Sequence, residues 1–285
     1  MTRSALFEIS TADALSDATK RIKKHARRER GGSPGVDGLR PARFLESLDA
    51  HLIHIQRDLR SGAYRFRDLE PAVVPKPNGG HRVICIPTVR DRIVQRSILN
   101  FLQDGDKCKL TNTVAYGNSR SRSVKKAARD AVDLRGRLPW VYKTDISSFF
   151  DRIDRDVLRD CVRRTVRHRS LHSLILDLAS RELRSRGGRK DAAIRAAGIK
   201  PGKGLRQGMP MSAFLSNLVL CDFDREIENS DFTMLRYADD LIFFCESEEQ
   251  CLEAEQLCQY ELGKQGLTVY KAAESEKSKV YAPGQ

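Results

Sequence analysis

Two aspartates, Asp239 and Asp240, stand side by side in the middle of LRYADDLIFF (235–244), a run otherwise built mostly for burial. A continuous buried strand cannot carry them, because an ionised carboxylate taken out of water is costly unless it is paired. The run therefore has to break. FTMLRY and LIFFC read as two antiparallel strands, with Ala238 and Asp239 at the tight turn between them and both carboxylates at the end of a sheet. Carboxylates this close repel one another unless a cation lies between them. Oxygen ligands of this kind suit a divalent metal, magnesium above all. A third carboxylate, Asp145, ends the apolar part of VYKTDISSFF (141–150). Neighbouring strands lie ~4.8 Å apart, so strand-end carboxylates can hold two ions at the ~3.5–4 Å separation of two-metal phosphoryl transfer. The alternative reading of an isolated Asp-Asp pair is an ordinary hairpin turn, where aspartate is common.

Charge points to a polyanionic partner. The 285 residues include 51 Lys and Arg against 38 Asp and Glu, a formal net charge of +13, which favours nucleic acid. The excess is spread over RIKKHARRER (21–30), VRRTVRHR (162–169) and RSRGGRK (184–190). Each run alone reads equally as a solvated helix face; together they favour an extended track. Seven cysteines form no CxxC pair, and the odd number argues against a closed disulfide framework. Reduced thiols and a cytoplasmic location follow as expectations. No apolar run approaches the ~20 residues of a membrane span, so no membrane partner is expected.

The chain shows no repeats. A basic helix is expected over 11–30, stopped by GGSPGVDG (31–38), and a second helical stretch over 40–60. AVVP and RVICIP around KPNGG read as a β-hairpin whose turn is flanked by Lys76 and Arg82. Helices are expected over 90–103 and 121–135, a strand from 140, and a long helical stretch after it. A basic glycine-containing loop then leads to a helix with Phe214, Leu215, Leu218 and Val219 near one face. Strand, turn, strand, helix and a last strand beginning at LTVYK complete an α+β chain, one sheet with helices packed on it.

KTDISSFFDRID, GLRQGMPMSAFLSNLVL and RYADDLIFF, in that order, resemble the catalytic motifs of bacterial reverse transcriptases of the group II intron-like, retron and phage-defence branch. GSPGVDG, VVPKPNGGHRVICIPTVRDRIVQRSI, AYGNSRSRSVKKAA and GLTVYKAAESEKSKV are similar to the family's further segments, so the resemblance runs over roughly 31–281. It implies a right-hand polymerase fold, with basic helices and fingers over 1–138 and an RNA-recognition-like palm over 139–285. It also implies RNA-directed DNA synthesis with two Mg²⁺ ions.

By the same resemblance Asp145, Asp239 and Asp240 form the metal triad, with the backbone carbonyl of Ile146 a further ligand. Phe150 matches the aromatic gate that excludes a 2′-hydroxyl and so selects dNTPs; a core position is its other reading, and only one of Phe149 and Phe150 can face substrate. Lys76 and Arg82 match the cations that clamp the triphosphate, against a reading as solvated hairpin residues. Gln207 and Gly208 match the segment lining the nucleotide and template base. Lys277 matches a lysine that protonates pyrophosphate, with Lys279 an equal claimant. Tyr237 is placed beside the primer end by its position next to the aspartates.

His168 and His172 stand four apart without the glutamate of a zinc-protease motif, and read as a basic helix face. Asp151, Asp154, Asp222 and Asp224 read as helix caps or arginine partners. Two departures from the family stand out. Ala213 takes the place of a usual proline, and the sequence stops at Gln285, directly after the fourth palm motif. No thumb or maturase domain is therefore expected within it: either the grip on the duplex would come from RNA or a protein partner, or these residues are part of a longer enzyme. The expected partners are an RNA template, in particular a structured noncoding RNA, a DNA or RNA primer, and dNTPs. The competing readings are a template-independent or RNA-synthesising polymerase of the same fold, and a noncatalytic RNA-binding, maturase-like protein.

Overall fold

The computed structural model describes residues 3–75, 81–117, 122–184, 187–272 and 274–285. Near the N-terminus α1 (Ala5–Ile9) and α2 (Ala12–Ala18) begin at Ser4 and Thr11, whose hydroxyls accept from the backbone N–H three residues on. The helix expected over 11–30 is broken. At Thr19 the hydroxyl donates back to the Ser16 carbonyl at 2.6 Å, and α3 (Lys20–Ala26) starts there. The stretch 40–60 likewise divides into α4 (Pro41–Leu45) and α5 (Leu48–Arg60).

The expected hairpin forms from β1 (Glu70–Pro75) and β2 (His81–Ile86), antiparallel with Glu70 opposite Ile86. Then come α6 (Val89–Gln103), capped by Thr88, α7 (Val124–Arg137), capped by Ser123, and β3 (Trp140–Asp145). After the short α8 (Phe149–Arg152), the long helical stretch divides into α9 (Arg155–Thr165) and α10 (His172–Ala179). The glycine-containing loop contains a helix that composition concealed, α11 (Gly188–Ala196), built from the helix formers of KDAAIRAA.

The helix after the MPM segment is α12 (Ser212–Glu228), and Phe214, Leu215, Leu218 and Val219 are all buried on it. Next are β4 (Thr233–Tyr237), β5 (Asp240–Cys245) and α13 (Glu248–Gly263). The last strand is misplaced in the sequence reading. LTVYK makes only one bridge, Val269 with Ile146, because it runs alongside residues just past the end of β3. The true strand is β6 (Lys279–Tyr281).

The chain forms two compact units, interleaved in sequence: Met1–Cys108 with Arg159–Leu215, and Lys109–Leu158 with Ser216–Gln285. The first holds the β1–β2 hairpin and a helical core that includes Ile9, Leu15, Ile55, Ile93 and Ile98. Within it the Gly208 backbone presses on β2. A Cβ at Gly208 would lie 2.7 Å from the Ile84 side chain and 2.8 Å from the Cys85 carbonyl, and its φ of +105° also favours glycine.

The second unit is built on a four-stranded sheet in the order β4-β5-β3-β6, antiparallel at each junction. One face, with Tyr142, Thr144, Leu241, Phe243 and Cys245, is buried. On the other, Tyr116, Val141, Leu235 and Phe244 pack with residues of α7, and the ends of the strands toward Asp145 are left open. All seven cysteines are buried and outside any disulfide. No helix is long and apolar enough to cross a membrane among the described residues.

Candidate active site

Register fixes the site. Asp145 lies directly opposite Asp240, and Tyr237 opposite Asp240 on the other side, so Tyr237, Asp240 and Asp145 form one row across three strands. Residues opposite one another in a sheet point to the same face. The β3–β6 register, in which Lys143 faces Lys279, extends to set Lys277 across from Asp145. The Lys277 ammonium donates to Asp145 Oδ2 at 3.4 Å and to the Tyr270 hydroxyl at 3.3 Å, and lies over the Tyr270 ring. The two lysines that sequence could not separate thus occupy different rows.

Asp239 is in the turn, as expected, with Ala238 beside it in the left-handed conformation at φ 58°. Its carbonyl accepts from the Ile146 N–H at 3.1 Å, tying the turn to the end of β3. Burial, and then the negative charge of Asp239, push the Asp145 carboxyl up to about 6; Lys277 opposes the rise. Asp240, open to water on one side, is also raised by partial desolvation and then by Asp239. Three mutually repelling carboxylates with oxygen-only chemistry fit a hard divalent cation. Among the described residues no three acidic, cysteine or histidine side chains already converge on one point.

Phe149 is buried and Phe150 half-buried, their rings 5.4 Å apart, and they follow Ser148 in a left-handed conformation at φ 48°. Tyr237 is 43 % exposed. In the first unit Arg82 is exposed on β2, whereas Lys76 lies outside the described residues. Gln207 accepts from the Cys85 N–H through its carbonyl at 2.7 Å. His168 meets the Phe101 ring edge-on and a His172 ring nitrogen lies 2.6 Å from the Val166 carbonyl, so both have structural roles. Asp154 caps α9 by accepting from the Asp156 N–H at 2.7 Å.

The turn has a support of which the sequence reading held one half, Asp224 as an arginine's partner, but not the arginine. Arg236, fully buried, makes a two-pronged ion pair with buried Asp224, and donates to the Asn217 side chain at 3.1 Å and the Ala238 carbonyl at 2.9 Å. Gly117 closes the other side. A Cβ there would lie 2.6 Å from the Ala238 nitrogen, and its carbonyl accepts from the Asn217 amide at 3.1 Å. One signal was available: an arginine inside the apolar strand TMLRY requires a buried acidic partner.

Comparison with known proteins gives this sheet its class. Residues 74–282 match the family described as reverse transcriptase (RNA-dependent DNA polymerase), and the chain belongs to that family. Enzymes of the family work with divalent metal ions. Protein YkfC of Escherichia coli (strain K12) is 32% identical over 201 residues, 68% of this chain and 49% of that protein. The retron Ec83 reverse transcriptase of Escherichia coli is 27% identical over 175 residues, covering 60% of this chain and 50% of its own. The chain thus spans about half the length of these relatives. Apo telomerase from Candida tropicalis, truncated from its C-terminal domain, shares the fold at a TM-score of 0.54 and 15% identity over 77% of this chain and 51% of its own. A partial Cas6-RT-Cas1–Cas2 complex does so at 0.50 and 23% over 92% and 42%.

Proposed function

We propose that the chain is an RNA-directed DNA polymerase that extends a primer on an RNA template from dNTPs. The observation that carries the reading is the row Tyr237, Asp240, Asp145, with Asp239 in the adjoining turn, at the open end of a sheet in a reverse transcriptase chain. Asp145, Asp239, Asp240 and the Ile146 carbonyl would hold two Mg²⁺ ions. When bound, the ions lower the pKa of the primer 3′-hydroxyl and offset charge on the phosphate under attack. Lys277, the lysine across from Asp145, supplies the proton that the departing pyrophosphate takes up. Phe150, with Phe149 held in the core beside it, is the ring that faces the sugar and leaves no room for a 2′-hydroxyl. Lys76 and Arg82 hold the triphosphate, Gln207 and Gly208 line the nucleotide, and Tyr237 lies at the primer end.

The template track is a basic groove of the first unit lined by Arg21, His25, Arg28, Arg92 and Arg96 above Ile84. Its crowding is reflected in His25, whose pKa burial and then the surrounding arginines lower. Two finer elements belong to the same proposal and are consistent with the likeness to a retron reverse transcriptase: a structured noncoding RNA as the template, and antiviral defence as the setting.

The test is extension of a DNA primer on an RNA template with Mg²⁺ and labelled dNTPs, beside Asp239→Asn and Phe150→Ala. Incorporation that disappears in Asp239→Asn, together with acceptance of rNTPs by Phe150→Ala, is the expected result. RNA binding without incorporation in the wild-type chain would favour the noncatalytic reading.

A further inference from the structure

The second unit is acidic, with 17 Lys and Arg against 21 Asp and Glu, whereas the first carries 34 against 17. Two lysines stand out against that background. Lys143 on β3 and Lys279 on β6 are directly opposite each other, both exposed, in the row next to Asp145 and on the face that Asp145 occupies. Like charges directly opposite in a sheet destabilise it. Among the described residues neither ammonium is in an ion pair within 4 Å, although the charge of Lys143 acts on Asp240 and opposes the rise in its pKa. Lys143 lines a groove of about 340 Å³ between the sheet and α7, where Ile242 and Tyr281 are half-buried, Val141 and Phe244 lie buried beneath, and Val132 and Arg135 form the α7 wall. A groove with apolar side chains, Lys143 on its edge and Lys279 across from Lys143 accommodates a sugar and the phosphate joined to it.

We propose that Lys143 and Lys279 bind the backbone phosphate of the growing strand, one nucleotide behind its 3′-hydroxyl. The assignment rests on the polymerase reading, because it takes the 3′ end to lie at the Asp145 row. Two residues along a strand span about 6.7 Å, a step comparable to the spacing of consecutive phosphates in an extended strand. A strand that ends at the carboxylates and continues over the groove therefore brings its last phosphodiester to the lysine pair. The anion between the two ammonium groups removes their repulsion, so the same contact that holds the primer relieves the sheet. The lysines act by positioning and take no part in bond breaking.

The experiment uses the whole chain and a fluorescent DNA primer annealed to an RNA template. Binding of wild type, Lys143→Ala/Lys279→Ala and Lys143→Arg/Lys279→Arg is measured as a function of salt, with incorporation followed in parallel. The alanine pair should weaken duplex binding about tenfold and flatten the plot of log K against log salt by roughly 0.9, as for one lost phosphate contact. The arginine pair should restore both. The KM for the duplex should rise while kcat and the KM for dNTP hold. An uncharged methylphosphonate at the last primer linkage should weaken wild-type binding and leave the alanine pair unaffected. Unchanged binding and salt slope, an effect that follows a template-strand linkage instead, or loss of kcat at unchanged binding would each overturn the proposal. Binding is read without turnover, so an inactive wild type would count against the polymerase reading while the lysine contact is still decided.

Discussion

Asp145 is held in an environment that disfavours its charge, and as the proposed metal ligand it is a place where function would oppose stability. Its carboxyl titrates at about 6 in the fold and at 3.8 when unperturbed. The folded state therefore binds the proton more tightly, and this contribution to stability is fully present below about 3.8 and lost as pH rises through about 6. With the side chain 23% exposed, the ionised group costs the metal-free fold on the order of 2 kcal/mol at pH 8. Asp145→Asn should consequently raise the Tm of the chelator-treated chain by a few degrees at pH 8 and change it little at pH 4. Added Mg²⁺ should raise the wild-type Tm and leave the variant's in place, since a ligand that binds only the folded state stabilises it. Thermal melts with and without Mg²⁺ at the two pH values decide the matter. Equal melting at pH 8 would mean that Asp145 is not under strain. The conflict itself was legible in sequence, because two adjacent acids between apolar strands have few other outcomes. The choice between Lys277 and Lys279 was not. They stand two apart on one strand edge, and only the β3–β6 register, with Lys279 facing Lys143, assigns Lys277 to Asp145.

The hairpin that carries Asp239 and Asp240 depends on a buried charge pair. Arg236 and Asp224 are 0% and 1% exposed, and the guanidinium also reaches the carbonyl of Ala238. Removing one partner of such a pair leaves an uncompensated charge in the core, which costs about 3–5 kcal/mol. Asp224→Asn should lower stability by about that amount in chemical denaturation. Arg236→Lys, which keeps the charge but not the fork, should also impair incorporation because the turn loses a donor. An unchanged denaturation midpoint in Asp224→Asn would remove the pair from the account. At this scale elements were readable where punctuation was strong. KPNGG separated β1 from β2, whereas the helix expected from 121 starts only at Val124, after the Ser123 cap. The helix α11 was hidden because its glycine and basic neighbours imitate a loop. The strand β6 was hidden because three residues carry no period, and LTVYK is the more apolar segment.

Charge is divided between the two units, and the division is a functional argument that neither unit supplies alone. The unit with the arginine groove carries a twofold excess of Lys and Arg over Asp and Glu, while the unit with the three aspartates is net acidic. Net charge spread evenly would give nonspecific attraction everywhere; this division concentrates it on Met1–Cys108 and Arg159–Leu215. Counterion release predicts a linear loss of log affinity with log salt, with a slope of roughly 0.7 per neutralised phosphate on a single strand. Arg21→Ala combined with Arg28→Ala should therefore flatten the slope for single-stranded RNA by roughly 1.4. Asp239→Asn, which alters the acidic unit, should leave the slope close to wild type. Filter or fluorescence binding across a salt series measures both. If the arginine variants keep the wild-type slope, RNA is held by other cations, and the runs at 162–169 and 184–190 become the surfaces to alter next. If Asp239→Asn changes the slope as much as they do, the aspartates belong to the binding surface as well as to chemistry, and the division of labour read from the charge pattern fails.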